Sequence, residues 1–293
     1  MSGSAGTVVM TAPDHYEVCY TINPWMRPEA WSRDPAALKA EAGREWTALA
    51  QALAATGLDV EVVPAAPGLP DMVFPANAAV VLDRRVLLAR FRHPERRGEE
   101  PRFKAFFESL AVRGLVDEIH LLPEGVFQEG AGDCIWDANR QIFWAAHGPR
   151  SSLASHRHIA RTFRQKVVSL ELVTERFYHL DTCFCALSGG EIVYWPPALS
   201  PESQALVEAL VPPAQRIEAT AAEAGTFSLN AVNVGRELIM TAPPTRLRRE
   251  LEARGYRCRI VDLSSFLLSG GASYCMTLRL DLASALAQPR AAE

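Results

Sequence analysis

The sequence predicts an α+β fold of five small strand–strand–helix–strand units with pseudo-fivefold symmetry, closed into a ring. Three observations carry this. The order strand, turn, strand, helix, strand recurs along the chain. A phenylalanine marks the loop after each repeat (Phe74, Phe127, Phe177, Phe227 and Phe266), at intervals of 53, 50, 50 and 39 residues. One unit is complete only when both ends of the chain are put together, which ties a circle shut and leaves few free strand edges.

The units follow in order. Residues 76–83 read as a strand, Arg84 and Arg85 as a turn, and 86–91 as a second strand. A helix over 98–114 has Pro101 near its start and Gly114 at its stop, and 117–123 form a third strand. The cycle repeats with strands 133–138 and 142–148, a helix over 151–165 and strand 166–172. The third unit has strands 182–187 and 192–197, helix Pro201–Leu210 and strand 215–220. The fourth has strands 230–235 and 237–243, a helix over 245–255 and strand 257–263. The split unit takes its first strand from 274–281 and its second from 7–14, then a helix over 34–56 and strand 58–64. Length alone, 293 residues, suggests two domains. The shared unit instead predicts a single domain over 1–293.

Composition removes several classes. Hydrophobic residues are 48% and charged residues 22%, both ordinary for a globular protein. No apolar run reaches the roughly 18 residues of a membrane span. The first residues carry neither the basic nor the apolar region of a secretory signal. With a net charge of −4, no nucleic-acid partner is expected; Arg246, Arg248 and Arg249 read as a solvated helix face. The expected partner is a small molecule, no membrane is involved, and a homo-oligomer stays open. Six cysteines without a C-x-x-C pair read as the reduced thiols of a cytoplasmic protein. His179, Cys183 and Cys185 lack a familiar zinc spacing, so no metal is expected, and both cysteines read as core residues on one strand face. The Gly130–Gly132 run lacks the third glycine of a dinucleotide loop, and no cofactor is expected.

In a ring, the loops entering the first strand of each unit converge near the axis. They carry Asn77, Glu129 to Asp133, His179 and Asp181, Asn230 and Asn233, and Gly270 to Cys275. Closure alone does not need His, Asp, Glu and Cys there. Cys275, after Gly270 and Gly271, is the candidate nucleophile, and attack requires its thiolate. His179 is the candidate base, with Asp181 on the same side of an extended backbone. Glu129 is a candidate to orient the imidazole. Asp133 has two readings, orienting carboxylate or loop closure. The carboxylates suit a planar cation such as a guanidinium. Arg90 and Arg150 are candidates for a substrate carboxylate, with solvated surface arginine the equal alternative for each. Asn23, in the split unit, is a further candidate.

These residues resemble those of the guanidino-group modifying enzymes, the pentein superfamily, which includes arginine deiminases, dimethylarginine dimethylaminohydrolases and amidinotransferases. The carriers are PDHYEVCYTINPWM, PDMVFPANA, RFRHPERRGEEPRFKAFFE, EGAGD, RFYHLDTCFC and GGASYCMTLRL. The resemblance covers nearly the whole chain and is nearer still to the arginine dihydrolase domain of cyanobacterial type. It implies a five-bladed α/β-propeller and covalent chemistry on an amidino carbon. It implies Cys275 as nucleophile, His179 as general acid and base, Glu129 as its partner, and Asp181 on the guanidinium. Deiminases usually place Asp where this chain has Asn77; the dihydrolase-like enzymes have Asn. An Asn can donate to a ureido oxygen as well as accept, so the site can keep citrulline for a second attack. The expected reaction is therefore arginine to ornithine, carbon dioxide and two ammonia. The alternative is one hydrolysis, to citrulline, of arginine or a methylated arginine; an amidinotransferase is the more remote one. The cyanobacterial relatives carry a further C-terminal domain, so their ornithine chemistry is not carried over.

Overall fold

The computed structural model describes residues 6–287. The N-terminal stretch read as lacking a signal and the two ends of the 1–293 span fall partly on residues 1–5 and 288–293, outside the described residues. The chain forms five three-stranded sheets. Four are consecutive: Ala79–Leu82, Arg85–Leu88 and Glu118–His120; then Cys134–Asp137, Ile142–His147 and Lys166–Glu171; then Phe184–Ala186, Ile192–Tyr194 and Arg216–Glu218; then Val232–Val234, Glu237–Met240 and Arg257–Ile260. The fifth joins Leu278–Arg279 to Gly6–Thr11 and Leu58–Val63. In every sheet the first two strands pair antiparallel and the last two parallel. A short turn suffices for the antiparallel pair; the parallel pair needs a crossover, which is why each unit holds a helix at that place.

The strands are shorter than the apolar runs. A short 3₁₀ turn leads into three of the first strands and takes Ala76–Ala78 and Thr182 from the expected strands: Pro75–Ala78 heads the strand at Ala79, Gly130–Gly132 the one at Cys134, and Leu180–Thr182 the one at Phe184. The helix expected over 151–165 starts as a 3₁₀ turn, Leu153–Ser155, and is α-helical over His156–Phe163. Pro201–Leu210 forms as expected, with Ser200 capping Ser203 N. Helix Pro35–Ala54 starts at Asp34, whose carboxylate accepts from Ala37 N. Arg246 and Arg248 lie on the exposed face of helix Thr245–Ala253, paired with Glu223 and Glu252.

The marker phenylalanines do two jobs. Four are buried: Phe74, Phe177, Phe227 and Phe266. Phe127 is half-buried beneath the Arg92 and Arg97 guanidiniums. The N-terminal segment after the first strand lies across the buried four. Tyr16 stacks on Phe266 at 4.8 Å and meets Phe74 edge-on at 6.3 Å; Trp25 meets Phe227 at 4.7 Å and Phe177 at 6.0 Å. Away from these loops, a cavity of about 240 Å³ is lined by residues of the first strand of all five sheets: Val81, Trp136, Ala186, Asn233 and Arg279 among them. Cys183 and Cys185 are buried, in separate parts of the core, so the expectation that they share one packed face is corrected. All six cysteines are free.

Phe266 has no exposed surface and joins the split sheet to the N-terminal segment. Phe266→Ala is expected to cost about 3–5 kcal/mol of stability, read as a lower urea midpoint with the slope unchanged.

Candidate active site

The 3₁₀ turns at the strand heads place the polar residues. Asn77 is the third residue of the first turn, Glu129 caps the second, His179 caps the third and Asp181 lies inside it. Cys275 lies in the turn before Leu278. All five are buried. Neighbouring groups approach the glycines here closely enough to exclude side chains. A Cβ on Gly132 would stand 2.3 Å from Asn77 Nδ2, and one on Gly271 2.3 Å from the Phe74 ring. This accounts for the Gly130–Gly132 run and for the glycines before Cys275.

Glu129 is the hub. Its Oε2 accepts from Arg150 Nη1 at 3.0 Å and lies 2.9 Å from His179 Nε2, while Oε1 accepts from Arg92 N at 3.0 Å. Burial by itself pushes this carboxyl up, but Arg150, His179 and Arg96 outweigh burial and hold it well below the usual carboxylate range. An ionised carboxylate only accepts, so His179 Nε2 carries the proton and the other nitrogen faces Asn77. Asn77 Nδ2 stands 3.4 Å from His179 Nδ1 and donates to Glu129 O at 3.2 Å. The amide cannot flip, because Asn77 Oδ1 accepts from Arg96 Nη1 at 2.8 Å. Arg96 is held in turn by Glu99 through two bonds, of 2.8 and 2.9 Å. Burial raises Glu99 to about 7 despite this pairing.

Cys275 Sγ lies 3.2 Å from Asp181 Oδ2 and accepts from Asn230 Nδ2 at 3.1 Å. Burial and the neighbouring Asp181 push the thiol well above its ordinary value, so it is protonated at neutral pH. Burial also raises Asp181 to about 7, against the hydrogen bonds from Cys275 and Asn230. Its Oδ1, and Oδ1 of Asp71, have no hydrogen-bond partner among the described residues. A narrow cavity between these groups is lined by Asn23, Asp71, Asn77, Arg96, Arg150 and Cys275, with Tyr178 and Phe74 among its walls. Arg150 also donates to Ile22 O and lies over the Tyr178 ring at 4.7 Å. Asn23 spans Ser269 O and Trp25 N.

The structure therefore brings together Cys275, His179, Glu129, Asn77, Asp181, Arg150 and Asn23. It does not bring Arg90. That residue bridges to Gln128, and its guanidinium donates to Leu122 O, away from the cavity. The buried arginine beside Arg150 is Arg96, six residues later. Asp133 proves to close the loop. Its Oδ2 accepts from Ser151 Oγ at 2.6 Å and Oδ1 from Leu180 N at 3.1 Å, whereas His179 Nε2 is 3.9 Å away. Asp71, Arg96 and Glu99 were not among the expected site residues, and Asn230 was expected as a converging position without a role. The arrangement supplies a thiol, an imidazole of defined tautomer and unpartnered carboxylate oxygens, which together suit nucleophilic attack on a bound cation.

The carboxylates also make stability pH-dependent. Unfolded, Asp181 titrates near 3.9; folded, at about 7. The folded chain thus keeps a proton that the unfolded chain releases. The resulting stability is present in full below about pH 4 and is lost as pH rises to about 7. Asp181→Asn is expected to gain stability over the parent at pH 8, by on the order of a few kcal/mol, and little at pH 4. Urea midpoints at the two pH values check this.

The geometry has counterparts in known proteins. The family model for eukaryotic N,N dimethylarginine dimethylhydrolase matches residues 21–282. The bifunctional arginine dihydrolase/ornithine cyclodeaminase ArgZ of Synechocystis is 43% identical over 273 residues, 93% of this chain and 37% of that protein. The chain thus spans little more than a third of this relative. The N(G),N(G)-dimethylarginine dimethylaminohydrolase of Mycobacterium tuberculosis is 36% identical over 271 residues, 92% of this chain and 84% of that one. Among solved structures, the substrate-bound N-terminal domain of ArgZ aligns with a TM-score of 0.87 at 41% identity, over 95% of this chain and 99% of that one. A cysteine-to-alanine variant of AgrE with L-arginine gives 0.89 at 39% identity, over 95% and 40%. With the family model matched across nearly the whole described region, the chain belongs to the N,N dimethylarginine dimethylhydrolase family.

Proposed function

We propose that the chain hydrolyses L-arginine twice at its guanidino carbon, giving ornithine, carbon dioxide and two ammonia, through covalent intermediates on Cys275. The observation that carries this reading is the Arg96–Asn77–His179 chain. It presents an amide N–H, rather than a second carboxylate, to the base and the cavity. The ArgZ N-terminal domain, an arginine dihydrolase, has been captured with substrate, with product and covalently joined to a reaction intermediate.

In this mechanism the guanidinium lies against Asp181. Its charge stabilises both the carboxylate and the thiolate, so Cys275 ionises when substrate arrives and its proton passes to His179 Nδ1. Thiolate sulfur attacks the guanidinium carbon. His179 gives a proton to the departing ammonia, then takes one from the water that attacks the amidino–sulfur adduct. Collapse restores the thiolate and leaves citrulline. Asn77 donates to the ureido oxygen, where a carboxylate would repel it. A second attack expels the second ammonia and leaves a carbamoyl group on sulfur. Water releases it as a carbamate, which loses carbon dioxide to give ornithine. Glu129 keeps the His179 tautomer. Arg150 and Arg96, with Asn23 beside them, fit the α-carboxylate, and Asp71 the α-ammonium.

We further read residues 1–293 as one catalytic domain whose five sheets close into a propeller; the cavity shared by all five first strands supports this. The free cysteines fit a reducing compartment such as the cytoplasm. A second reading, a single hydrolysis of methylated arginine, is favoured by the match of residues 21–282 to the dimethylarginine dimethylhydrolase family.

Three measurements test the reading. Incubation of purified protein with L-arginine and no added metal should yield ornithine and two ammonia per arginine consumed. Citrulline with one ammonia would favour a deiminase, and turnover of dimethylarginine alone the second reading. Cys275→Ser should lower kcat at least ~10³-fold without changing the circular dichroism. Asn77→Asp should shift the product from ornithine towards citrulline, measured by quantifying both amino acids.

A further inference from the structure

Asn230 heads the one converging loop to which the mechanism above gives no role. Its amide is fully committed. Oδ1 accepts from Tyr274 N at 3.0 Å and from Cys275 N at 3.1 Å, while Nδ2 donates to Asp181 O at 3.1 Å and to Cys275 Sγ at 3.1 Å. Both N–H groups can only donate, so the oxygen must face them and the amino end must face sulfur. The residue has no exposed surface. The turn that presents it contains Phe227 at φ 57°, a left-handed conformation costly for a bulky residue, and Asn230 N donates to Phe227 O at 3.0 Å. Opposite Asn230, Asp181 Oδ2 lies 3.2 Å from the same sulfur. Asp181 can accept from a thiol but repels a thiolate. Tyr178, also near this thiol, is a neutral phenol, raised by burial. Among the described residues, Asn230 is the side-chain amide donor on Sγ.

We propose that Asn230 is a catalytic residue, the donor that stabilises the Cys275 thiolate both as nucleophile and, at each hydrolysis, as leaving group. This rests on the covalent reading above. A donor to sulfur is worth more to a thiolate than to the thioether-like sulfur of an adduct, so it favours the two states in which the carbon–sulfur bond is not yet formed or is breaking. The same amide fixes the Tyr274 and Cys275 N–H groups, so sulfur is held by both its own backbone and its hydrogen bond.

The test is iodoacetamide alkylation of Cys275 in the free protein from pH 7 to 10, followed peptide by peptide by mass spectrometry, with exposed Cys19 as internal reference. Asn230→Asp keeps the acceptor for the two N–H groups and removes the donor; Asn230→Ser is smaller. Both should lower the Cys275 rate at pH 8 at least tenfold, leave Cys19 unchanged, and lower kcat with KM altered less than threefold. A role in packing alone predicts the opposite sign for Asn230→Ser, because removing bulk beside sulfur speeds alkylation. Rates within threefold of the parent, or faster, in a folded variant would overturn the proposal. Alkylation needs no substrate. If the protein turns over no guanidino compound yet the rates fall as stated, the proposed function fails and the thiolate donor stands.

Discussion

Glu129 is a carboxylate with no exposed surface that stays ionised, and the rest of the site is arranged around that charge. A buried anion requires partners, and each one found here also has a second task. Arg150 neutralises it while projecting into the cavity. His179 donates to it through Nε2, which leaves its other nitrogen to face Asn77. Asn77 binds its backbone carbonyl and turns its amino group to that nitrogen. Arg96 lends long-range positive charge and pins the Asn77 amide. Removing the carboxylate would leave a buried guanidinium without its anion and an imidazole without a defined tautomer.

Much of this was legible before any coordinates. Turn residues and alternating apolar runs located the fifteen strands to within a few residues, because each unit repeats the same local rules. The convergence of Asn77, Glu129, His179 and Cys275 followed from position within the repeat, not from any one motif. The strand heads were misjudged for a physical reason. Close approach of the loops forces tight turns there, 3₁₀ at three of the heads, and that pressure is tertiary, with no signature in hydropathy.

The arginines show the other limit. Arg90, Arg92, Arg96 and Arg97 lie within one charge-rich stretch, and such stretches are usually solvated. Arg90 sits at the outer end of an apparent strand and was preferred; the Arg96–Glu99 pair, three residues apart around a turn that opens at Pro94, was the available clue. What decides is the fold, which buries one guanidinium against Asn77 and turns another back on a carbonyl. Asp71 was hidden likewise, and Asn230 was legible by place but not by role, since a polar residue in an apolar loop gains a role only once its partners are known.

The split sheet has a consequence for the order of events during synthesis. Gly6–Thr11 is made before its antiparallel partner Leu278–Arg279, which follows more than two hundred and fifty residues later. The base, its carboxylate and both buried arginines are made long before the thiol. A nascent chain can therefore assemble the charged half of the site before its nucleophilic sulfur exists. The segment that delivers the nucleophile also brings Leu278–Arg279 to pair with Gly6–Thr11 in the same step, so chemical competence arrives only with completion of the split sheet.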